Sequence, residues 1–329
     1  MNGPTSATLT LDEEQEADAA ADEAYRSLIE RLSRQSVDKH FDAYADVPWD
    51  DPGMAIDPTD PRWEVFNDDP LGATAWYRGL PQEERARIGL HRVAAAMKTG
   101  AQFESVLKRG LLDYATTLPN GSPEFRYIYH EVIEEAQHSL MFQEFVNRSG
   151  FDPKGLPWYM RIGSRFVVAT ARRFPPLFFL FVLGGEDPID YTQRRALRSG
   201  QEGHPLLERI MRIHVTEEAR HLSFARHYLK RAVPRLGPVR RLVLSIAAPR
   251  LLWVMSHAML MPSKRLLAQH GMPRGTLRRE LDREQAHQFV KDSVGKVRRL
   301  CVELGLVTRL SKPIWKVSGL WDEPNRAPS

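Results

Sequence analysis

Only one cysteine, Cys301, occurs among the 329 residues of this chain. A single thiol excludes an internal disulfide framework and a cluster of thiolate ligands, so any metal would have to be held by carboxylate and imidazole side chains. Such ligands suit iron or manganese better than copper or structural zinc. The sequence also lacks a Gly-rich phosphate loop and a nucleophile-elbow motif, so neither of those chemistries is indicated.

Neither sign of charge dominates the chain, and long hydrophobic runs are missing too. The 46 Lys and Arg against 42 Asp and Glu leave a formal charge of +4, and we expect no nucleic-acid partner. The apolar run 177–183 is too short to span a bilayer, and residues 242–261 are interrupted by proline, arginine and histidine. The N-terminus has no basic segment followed by an apolar one. We therefore expect a cytoplasmic protein with no integral membrane helix, and a peripheral contact through the basic C-terminal third stays open.

The stretch HVTEEARH, residues 214–221, carries the strongest functional pattern. On an α-helix, residues three, four and seven apart share one face, so His214, Glu218 and His221 would project into the same volume. All three side chains are metal-ligand types. A Glu-x-x-His pair also arises by chance on charged helices, so this cluster alone is only suggestive.

A second copy of the motif strengthens the prediction. Glu135 and His138 repeat Glu-x-x-His upstream, and an isolated Glu precedes each copy at a similar interval: Glu104 by 31 residues and Glu186 by 32. This pattern is typical of a four-helix bundle that takes one Glu from each of two helices and Glu-x-x-His from each of the others to hold a dinuclear iron or manganese centre. The 42% hydrophobic content is enough for such a core.

The sequence predicts an all-α protein whose parts form a single domain. We expect an acidic lead and a helix (about Asp22–Gln35) in residues 1–46, and an irregular wrapping loop anchored by tryptophans in residues 47–80. The bundle core is predicted over residues 81–235 and C-terminal helices with a tail over 236–329. The predicted core helices are 81–117, 123–148, a stretch 156–185 broken near Pro175 and Pro176, and 205–232; the C-terminal helices are 239–270, which Pro249 kinks or divides, and 277–304.

Two of the candidate ligands have alternative interpretations. Glu104 could be a rim residue paired with Lys108 one helical turn later. Glu186 could simply begin a helix, where acidic side chains are favoured. The matching intervals favour ligands in both cases. Glu131 is a candidate to hydrogen-bond the ligands, whereas the spacing predicts that Glu134 is turned away. Asp190 and Tyr191, which follow Glu186 together with Arg194, could reach the substrate pocket, but hydrogen bonds to the ligands or salt bridges are the favoured roles.

The ligand series resembles that of the AurF-like di-iron oxygenases, the p-aminobenzoate N-oxygenase family. Ferritins, desaturases and multicomponent monooxygenases share the Glu-x-x-His helices, but a further histidine one turn before the second pair is a feature of this family, and His214 stands there. The resemblance covers roughly residues 75–235. It implies a ferritin-like four-helix bundle with flanking helices and a two-iron centre held by these ligands: Glu104, Glu135, His138, Glu186, His214, Glu218 and His221.

The resemblance also implies an activity, namely a di-iron monooxygenase that activates O₂ and oxygenates the nitrogen of an arylamine, giving hydroxylamine, nitroso or nitro products. The implied partners are a small aromatic amine and an external electron donor such as a reductase or ferredoxin; a homodimer and a manganese-containing centre stay open. The alternative is a di-iron hydroxylase or desaturase acting on a carrier-bound or lipid substrate. No Arg or Lys on the helix face before Glu104 is placed to clamp a substrate carboxylate, so p-aminobenzoate itself is not predicted.

Overall fold

A computed structural model describes residues 11–66 and 69–321, and this part of the chain is helical with connecting turns. Two short 3₁₀ helices, Pro52–Met54 and Pro61–Trp63, lie in the loop after the first α-helix. The α-helices are α1 (Leu11–Asp38), α2 (Ala75–Arg78), α3 (Gln82–Ala115), α4 (Pro123–Arg148), α5 (Trp158–Arg173), α6 (Pro175–Arg198), α7 (Pro205–Ala232), α8 (Pro238–Leu260), α9 (Lys264–Gln269), α10 (Thr276–Glu280), α11 (Arg283–Ser293), α12 (Gly295–Glu303) and α13 (Lys312–Val317).

Four long helices, α3, α4, α6 and α7, form the bundle predicted from the sequence. Helix α3 packs along α4, α6 packs along α7, and α5 bridges α3 and α6. Prolines begin α4, α6 and α7, where the missing N–H costs nothing. Gly150, at φ 74°, follows the end of α4 in the left-handed conformation that favours glycine. The all-α, ferritin-like prediction is confirmed.

One glycine allows α3 and α6 to approach closely near the centre of the bundle. A Cβ atom on Gly185 would overlap the ring of Phe103 on α3. Only glycine leaves room for that ring, so the residue directly before Glu186 sets the spacing between two of the four helices.

Several helix boundaries differ from the prediction. Helix α1 begins by Leu11 rather than near Asp22, because the acidic, Ala-rich segment favours a helix N-terminus; residues 1–10 of the predicted lead lie outside the described residues. Pro249 lies within α8 and does not divide it. Instead the chain breaks after Leu260, before Pro262. The predicted helix 277–304 is three helices, partly because the Asp282 carboxylate caps α11 by accepting from two backbone N–H groups.

The break near the paired prolines falls at Phe174, between α5 and α6. Glu186 therefore lies in the middle of α6, and the alternative that it begins a helix is wrong. The helix continues through Pro188.

The flanking segments pack on the bundle through buried aromatic side chains. Trp49 and Trp63 of the wrapping loop are buried, and Trp63 stacks on His204 with ring centroids 4.0 Å apart. In the C-terminal tail, Trp315 is buried and Trp321 packs against the core. These aromatic anchors attach long irregular segments to the helices.

Within the described residues, one segment, Pro238–Gln269, is long enough and apolar enough to cross a membrane, judged by length and composition alone. Of its most apolar window, 39% is buried inside the protein. Its first helix, α8, packs against α6, α11 and α13. A core helix of a bundle meets the same criterion, so this segment is weak evidence for a membrane span.

Candidate metal centre

The seven predicted ligands converge at the middle of the bundle. Each is at most 2% exposed. Their donor atoms form overlapping groups in which all atoms lie within 4.8 Å of one another. Among the described residues there are five such groups: Glu104 with His138 and His214, Glu186 with His214 and Glu218, Glu135 with His138 and Glu218, Glu104 with Glu135 and Glu186, and His221 with Glu135 and Glu131. One compact, buried volume is therefore surrounded by carboxylate and imidazole groups from all four helices.

The imidazoles of the two Glu-x-x-His motifs turn the same nitrogen inward. Nδ1 of His138 lies 3.3 Å from Glu135 Oε2, and Nδ1 of His221 lies 3.2 Å from Glu218 Oε1 and 3.1 Å from Glu135 Oε1. His214 differs, since its Nε2 atom faces Glu218 and Glu104, at 3.6 and 3.8 Å. An Nδ1 nitrogen from each motif and the Nε2 nitrogen of His214 are therefore available to ligate a cation.

Two further glutamates hold the outward nitrogens of the motif histidines. His138 Nε2 on α4 donates to Glu217 Oε2 on α7, and His221 Nε2 on α7 donates to Glu134 Oε2 on α4, both at 2.8 Å. The arrangement is reciprocal between the helices. A carboxylate on the far nitrogen fixes the tautomer and orientation of a ligating imidazole and raises its basicity.

The prediction that Glu134 is turned away is wrong, and the sequence pattern assigns no role to Glu217; both side chains are buried at the cluster. Each glutamate is buried because it accepts a hydrogen bond from a histidine on the opposite helix. Residue spacing along one helix cannot reveal a contact between two helices. A signal was nevertheless present, since both motifs read Glu-Glu-x-x-His.

Arg220 links the two outer carboxylates. Its Nη2 atom lies 2.7 Å from Glu134 Oε1 and 3.7 Å from Glu217 Oε1, and the residue is only 6% exposed. The backbone N–H of Phe41 also donates to Glu217. The guanidinium therefore compensates two buried negative charges that would otherwise be costly.

The third histidine has an amide partner instead of a carboxylate. His214 Nδ1 lies 2.9 Å from the amide oxygen of Gln193 on α6, to which it donates when Nε2 carries no proton. A neutral amide raises the basicity of an imidazole less than a carboxylate does, so His214 is electronically distinct from His138 and His221.

The protonation properties of the cluster reflect its excess of buried carboxylates. Burial and the neighbouring Glu135 and Glu186 hold the pKa of Glu104 well above its usual range. Burial likewise raises the pKa of Glu186 and of Glu218. For His214, burial and the neighbouring His138 hold the pKa well below its usual value, so the ring is neutral and able to ligate.

The residues present fit a pair of divalent cations. Within the described residues, Glu104 Oε2, Glu186 Oε1 and Glu218 Oε2 are buried without a hydrogen-bond partner. Burying such oxygens unpaired is expensive, and cations at the centre would satisfy them. Four carboxylates and three imidazoles form an oxygen-rich donor set of the kind that iron and manganese accept.

The three further candidates, Glu131, Asp190 and Tyr191, lie at different distances from the cluster. Glu131 is buried beside the cluster, where one of its oxygens lies within 4.8 Å of donor atoms of Glu135 and His221. Asp190 instead pairs with Arg194 at 2.6 Å, and Tyr191 accepts a hydrogen bond from Arg195. The structure thus brings Glu131 to the centre and gives the other two residues surface partners.

Lys108 does not pair with Glu104. Its ammonium group donates to the backbone carbonyl of Glu135 and to the Ser139 hydroxyl on α4. The alternative that Glu104 is a rim residue is wrong, because Glu104 is 2% exposed and faces the bundle centre.

A cavity of about 270 Å³ reaches the cluster from one side. Three candidate ligands, Glu104, Glu186 and His214, lie in its wall. The hydroxyls of Thr99 and Thr192 donate to carbonyls of their own helices. Most of the remaining wall is apolar and includes Ala95, Ala96, Met97, Phe103, Phe142, Ile189, Leu207, Met211, Met259 and Leu266.

Two arginines that the sequence did not single out also line this cavity. Arg92 is paired with Asp69 at 2.7 Å and donates to the carbonyl of Leu260, so its charge is compensated. Arg195 lies on α6, nine residues after Glu186. Lys98, by contrast, donates to Gln143 on α4.

Fold and site together define an all-α bundle protein with a buried carboxylate and imidazole cluster beside an apolar cavity. The chain belongs to the p-aminobenzoate N-oxygenase AurF family, whose sequence profile matches residues 22–305. Two uncharacterised proteins, one from Mycobacterium bovis and one from Mycobacterium tuberculosis, are each 39% identical to it over 311 residues, which cover 94% of this chain and 91% of the relative. No solved structure matches the chain. Membership of this family implies an oxygenase.

Proposed function

We propose that this protein is a non-haem di-iron monooxygenase that uses O₂ to oxygenate the nitrogen of an arylamine. One observation carries the proposal: three candidate ligands, Glu104, Glu186 and His214, form part of the wall of an apolar cavity. A substrate in this cavity would lie directly against the metal pair. An apolar wall also keeps water away from reactive oxygen.

The clustering of donor atoms from four helices supports a role for each candidate ligand. Glu104, Glu135, Glu186 and Glu218 would neutralise the two cations, and His138, His214 and His221 would complete the coordination. Bound iron would supply the electrons and the Lewis acidity with which O₂ is activated. Glu217 and Glu134 would hold the two motif imidazoles in register through their Nε2–H groups.

The overall chemistry requires an external reductant. One oxygen atom of O₂ joins the nitrogen and the other leaves as water, which takes up two electrons and two protons for each oxygenation. A reductase or ferredoxin would deliver the electrons. We place the reaction in the cytoplasm, where such donors are found; the sequence also allows a homodimer and a manganese-containing centre.

The test is turnover of the iron-loaded, reduced protein with a panel of arylamines and isotopically labelled O₂. We expect close to two irons per chain and label on nitrogen in the product, detected by mass spectrometry. His214→Ala serves as the matched inactive variant. Label on carbon, or a new double bond, would instead support the hydroxylase or desaturase alternative. An iron content well below one per chain, with no manganese in its place, would end the oxygenase proposal.

A further inference from the structure

Helix α5 exposes an apolar stripe beside a basic one. Trp158, Ile162 and Phe166 recur every fourth residue and are 67%, 49% and 74% exposed, and Tyr159 lies next to them. The opposite side of the helix packs on α3 and α6. We infer that this face of α5, together with the exposed face of α8, docks the protein on an anionic lipid membrane.

Helix α8 contributes a second exposed face of the same kind. Its exposed large apolar residues lie on one side of the helix: Val239, Leu242, Val243, Trp253 and Val254. The other side, which includes the buried Leu244, Ala248 and Leu252, belongs to the hydrophobic core. Adjoining apolar side chains of this size are seldom left in water, so a covering partner is indicated.

The two faces are neighbours on the same side of the bundle. Both helices pack on α6. The guanidinium carbon of Arg240, near the start of α8, lies 5.7 Å from the ring centroid of Phe174, which follows the last residue of α5. We call the exposed sides of Trp158–Arg173 and Pro238–Leu260 together the α5/α8 face.

The charge of this face indicates an anionic partner. Residues 153–185, which include α5, contain no Asp or Glu, and neither do residues 219–279, which include α8. Six arginines of the two helices are exposed, and none of them forms an ion pair with another described residue: Arg161, Arg165, Arg172, Arg173, Arg240 and Arg250. A symmetric contact with a second copy would bring such arginines together, and they would repel each other.

The exposed tryptophans favour lipid as that partner. All seven tryptophans lie in the described part of the chain, and the two that are exposed are Trp158 on α5 and Trp253 on α8. Tryptophan prefers the boundary between lipid and water, because its ring is apolar and its N–H group is polar. A helix with aromatic and aliphatic residues on one side and arginines beside them is typical of a membrane surface.

The burial of α8 favours a helix that lies on the membrane over one that crosses it. Its inner side is fixed against α6, α11 and α13, so lipid would meet the outer side alone. Ala258, Met259 and Leu260, the last residues of α8, are part of the wall of the apolar cavity. The docking face therefore ends where the cavity begins, which suits a substrate that dissolves in lipid.

The experiment is flotation of the full chain with phosphatidylcholine vesicles, with and without phosphatidylglycerol. Each arginine near an anionic surface contributes about fivefold in affinity, so we expect binding to the anionic vesicles to be tighter by about tenfold or more. Binding should weaken as the salt concentration rises, because salt screens exposed charges. Equal binding to the neutral vesicles, or no binding to either, would overturn the inference.

Two double variants separate the apolar contribution from the charge. Trp158→Ser with Phe166→Ser should abolish flotation, and Arg161→Gln with Arg165→Gln should lower the affinity for anionic vesicles by about tenfold or more. All four side chains are exposed, so the fold should persist, which circular dichroism checks. Loss of the fold in either variant would leave the single variants Phe166→Ser and Arg165→Gln to give smaller losses in the same direction.

The matched control is Phe125→Ser with Ile133→Ser. These residues are 48% and 58% exposed on α4, which packs on α1, α3 and α7 and carries glutamates. This variant should bind vesicles as the wild-type protein does. An equal loss in the control would mean that any exposed apolar residue contributes, and the α5/α8 face would not be the docking site.

Fluorescence quenching by lipids with brominated chains locates the contact. We expect quenching of the wild-type protein, and less in Trp158→Phe and in Trp253→Phe, which keep an aromatic side chain. Unchanged quenching in both variants would contradict the inference. So would a dimer, measured by light scattering, that the Trp158→Ser and Phe166→Ser changes convert to a monomer while vesicle binding stays the same. None of these measurements needs turnover, so they stand apart from failure of the proposed oxygenation.

Discussion

His138 on α4 donates from Nε2 to Glu217 on α7 at 2.8 Å, across the interface between the two motif helices. His138 is a candidate ligand from the first Glu-x-x-His motif. Glu217 directly precedes Glu218, the glutamate of the second motif. His221 and Glu134 repeat the relationship in the opposite direction. The orientation of each imidazole thus depends on the partner helix, and the centre is built by packing α4 against α7.

Glu217→Gln should weaken metal binding without unfolding the protein. The amide has nearly the same shape but no charge, so it holds the His138 ring less firmly and lowers its basicity. We expect a loss of about 10- to 100-fold in metal affinity, measured by competition with a chelator, and a similar loss for Glu134→Gln. Glu208→Gln is the control, because Glu208 is on the same helix and pairs with Arg212 at the surface. Unchanged affinity in both test variants would show that these bonds only fill the core.

His214→Ala should spare folding and impair oxygen activation. The substitution removes one nitrogen donor and opens space on the cavity side of the centre. We expect a lower iron content, measured by elemental analysis, and a loss of turnover, measured as oxygen consumption by the reduced protein. His214→Gln keeps a polar side chain without an imidazole and separates ligation from cavity formation. Wild-type iron content and turnover in both variants would contradict a ligand role.

Gly185→Ala should destabilise the bundle and disturb the centre together. The added methyl group overlaps the Phe103 ring, and overpacking of this kind costs about 1–3 kcal/mol in the free energy of unfolding. Urea unfolding and iron content report the two effects. Gly163→Ala on α5 is the matched control, since its Cβ would meet no atom within 4 Å, and it should be neutral or stabilise by up to about 1 kcal/mol. Recovery of stability on adding Phe103→Leu would identify the ring as the obstacle.

The histidine pair His91 and His270 should make stability fall at acid pH. Burial, and then His270, lower the pKa of His91 to about 4, and burial also lowers the pKa of His270. Because the folded-state pKa lies below the unfolded value of about 6.5, the unfolded chain takes up the proton first. Stability is therefore fully present above about pH 6.5 and falls as the pH drops towards 4.

His91→Gln tests this dependence, because glutamine can still hydrogen-bond His270 but does not titrate. Between pH 7.5 and pH 4.5 the wild-type protein should lose on the order of 2 kcal/mol more unfolding free energy than the variant. Urea titrations of the metal-free proteins at both pH values give the difference. Parallel losses in the two proteins would assign the acid sensitivity to other groups.

The clustering of the seven candidate ligands could be predicted from sequence because its information is local. Glu135 and His138 share a face through the helical repeat, as do His214, Glu218 and His221, and the similar intervals point to Glu104 and Glu186. The helix starts at Pro123 and Pro205 were also predicted correctly, because proline and the preceding residue act within one turn.

Other features depend on contacts between helices, which no local pattern encodes. Glu134 and Glu217 are buried because the histidines they hold belong to the opposite helix. The α8 helix runs through Pro249 because packing against neighbouring helices outweighs the local penalty of a proline.

By itself, the sequence determined which residue types face the centre, since helical periodicity places them on one side of each helix. Tertiary packing decided how α4 and α7 meet, and so which glutamate supports which histidine. It also decided that Arg195 lines both the apolar cavity and a surface depression that Arg198 and Lys296 share, because that position depends on how α6, α11 and α12 pack against one another.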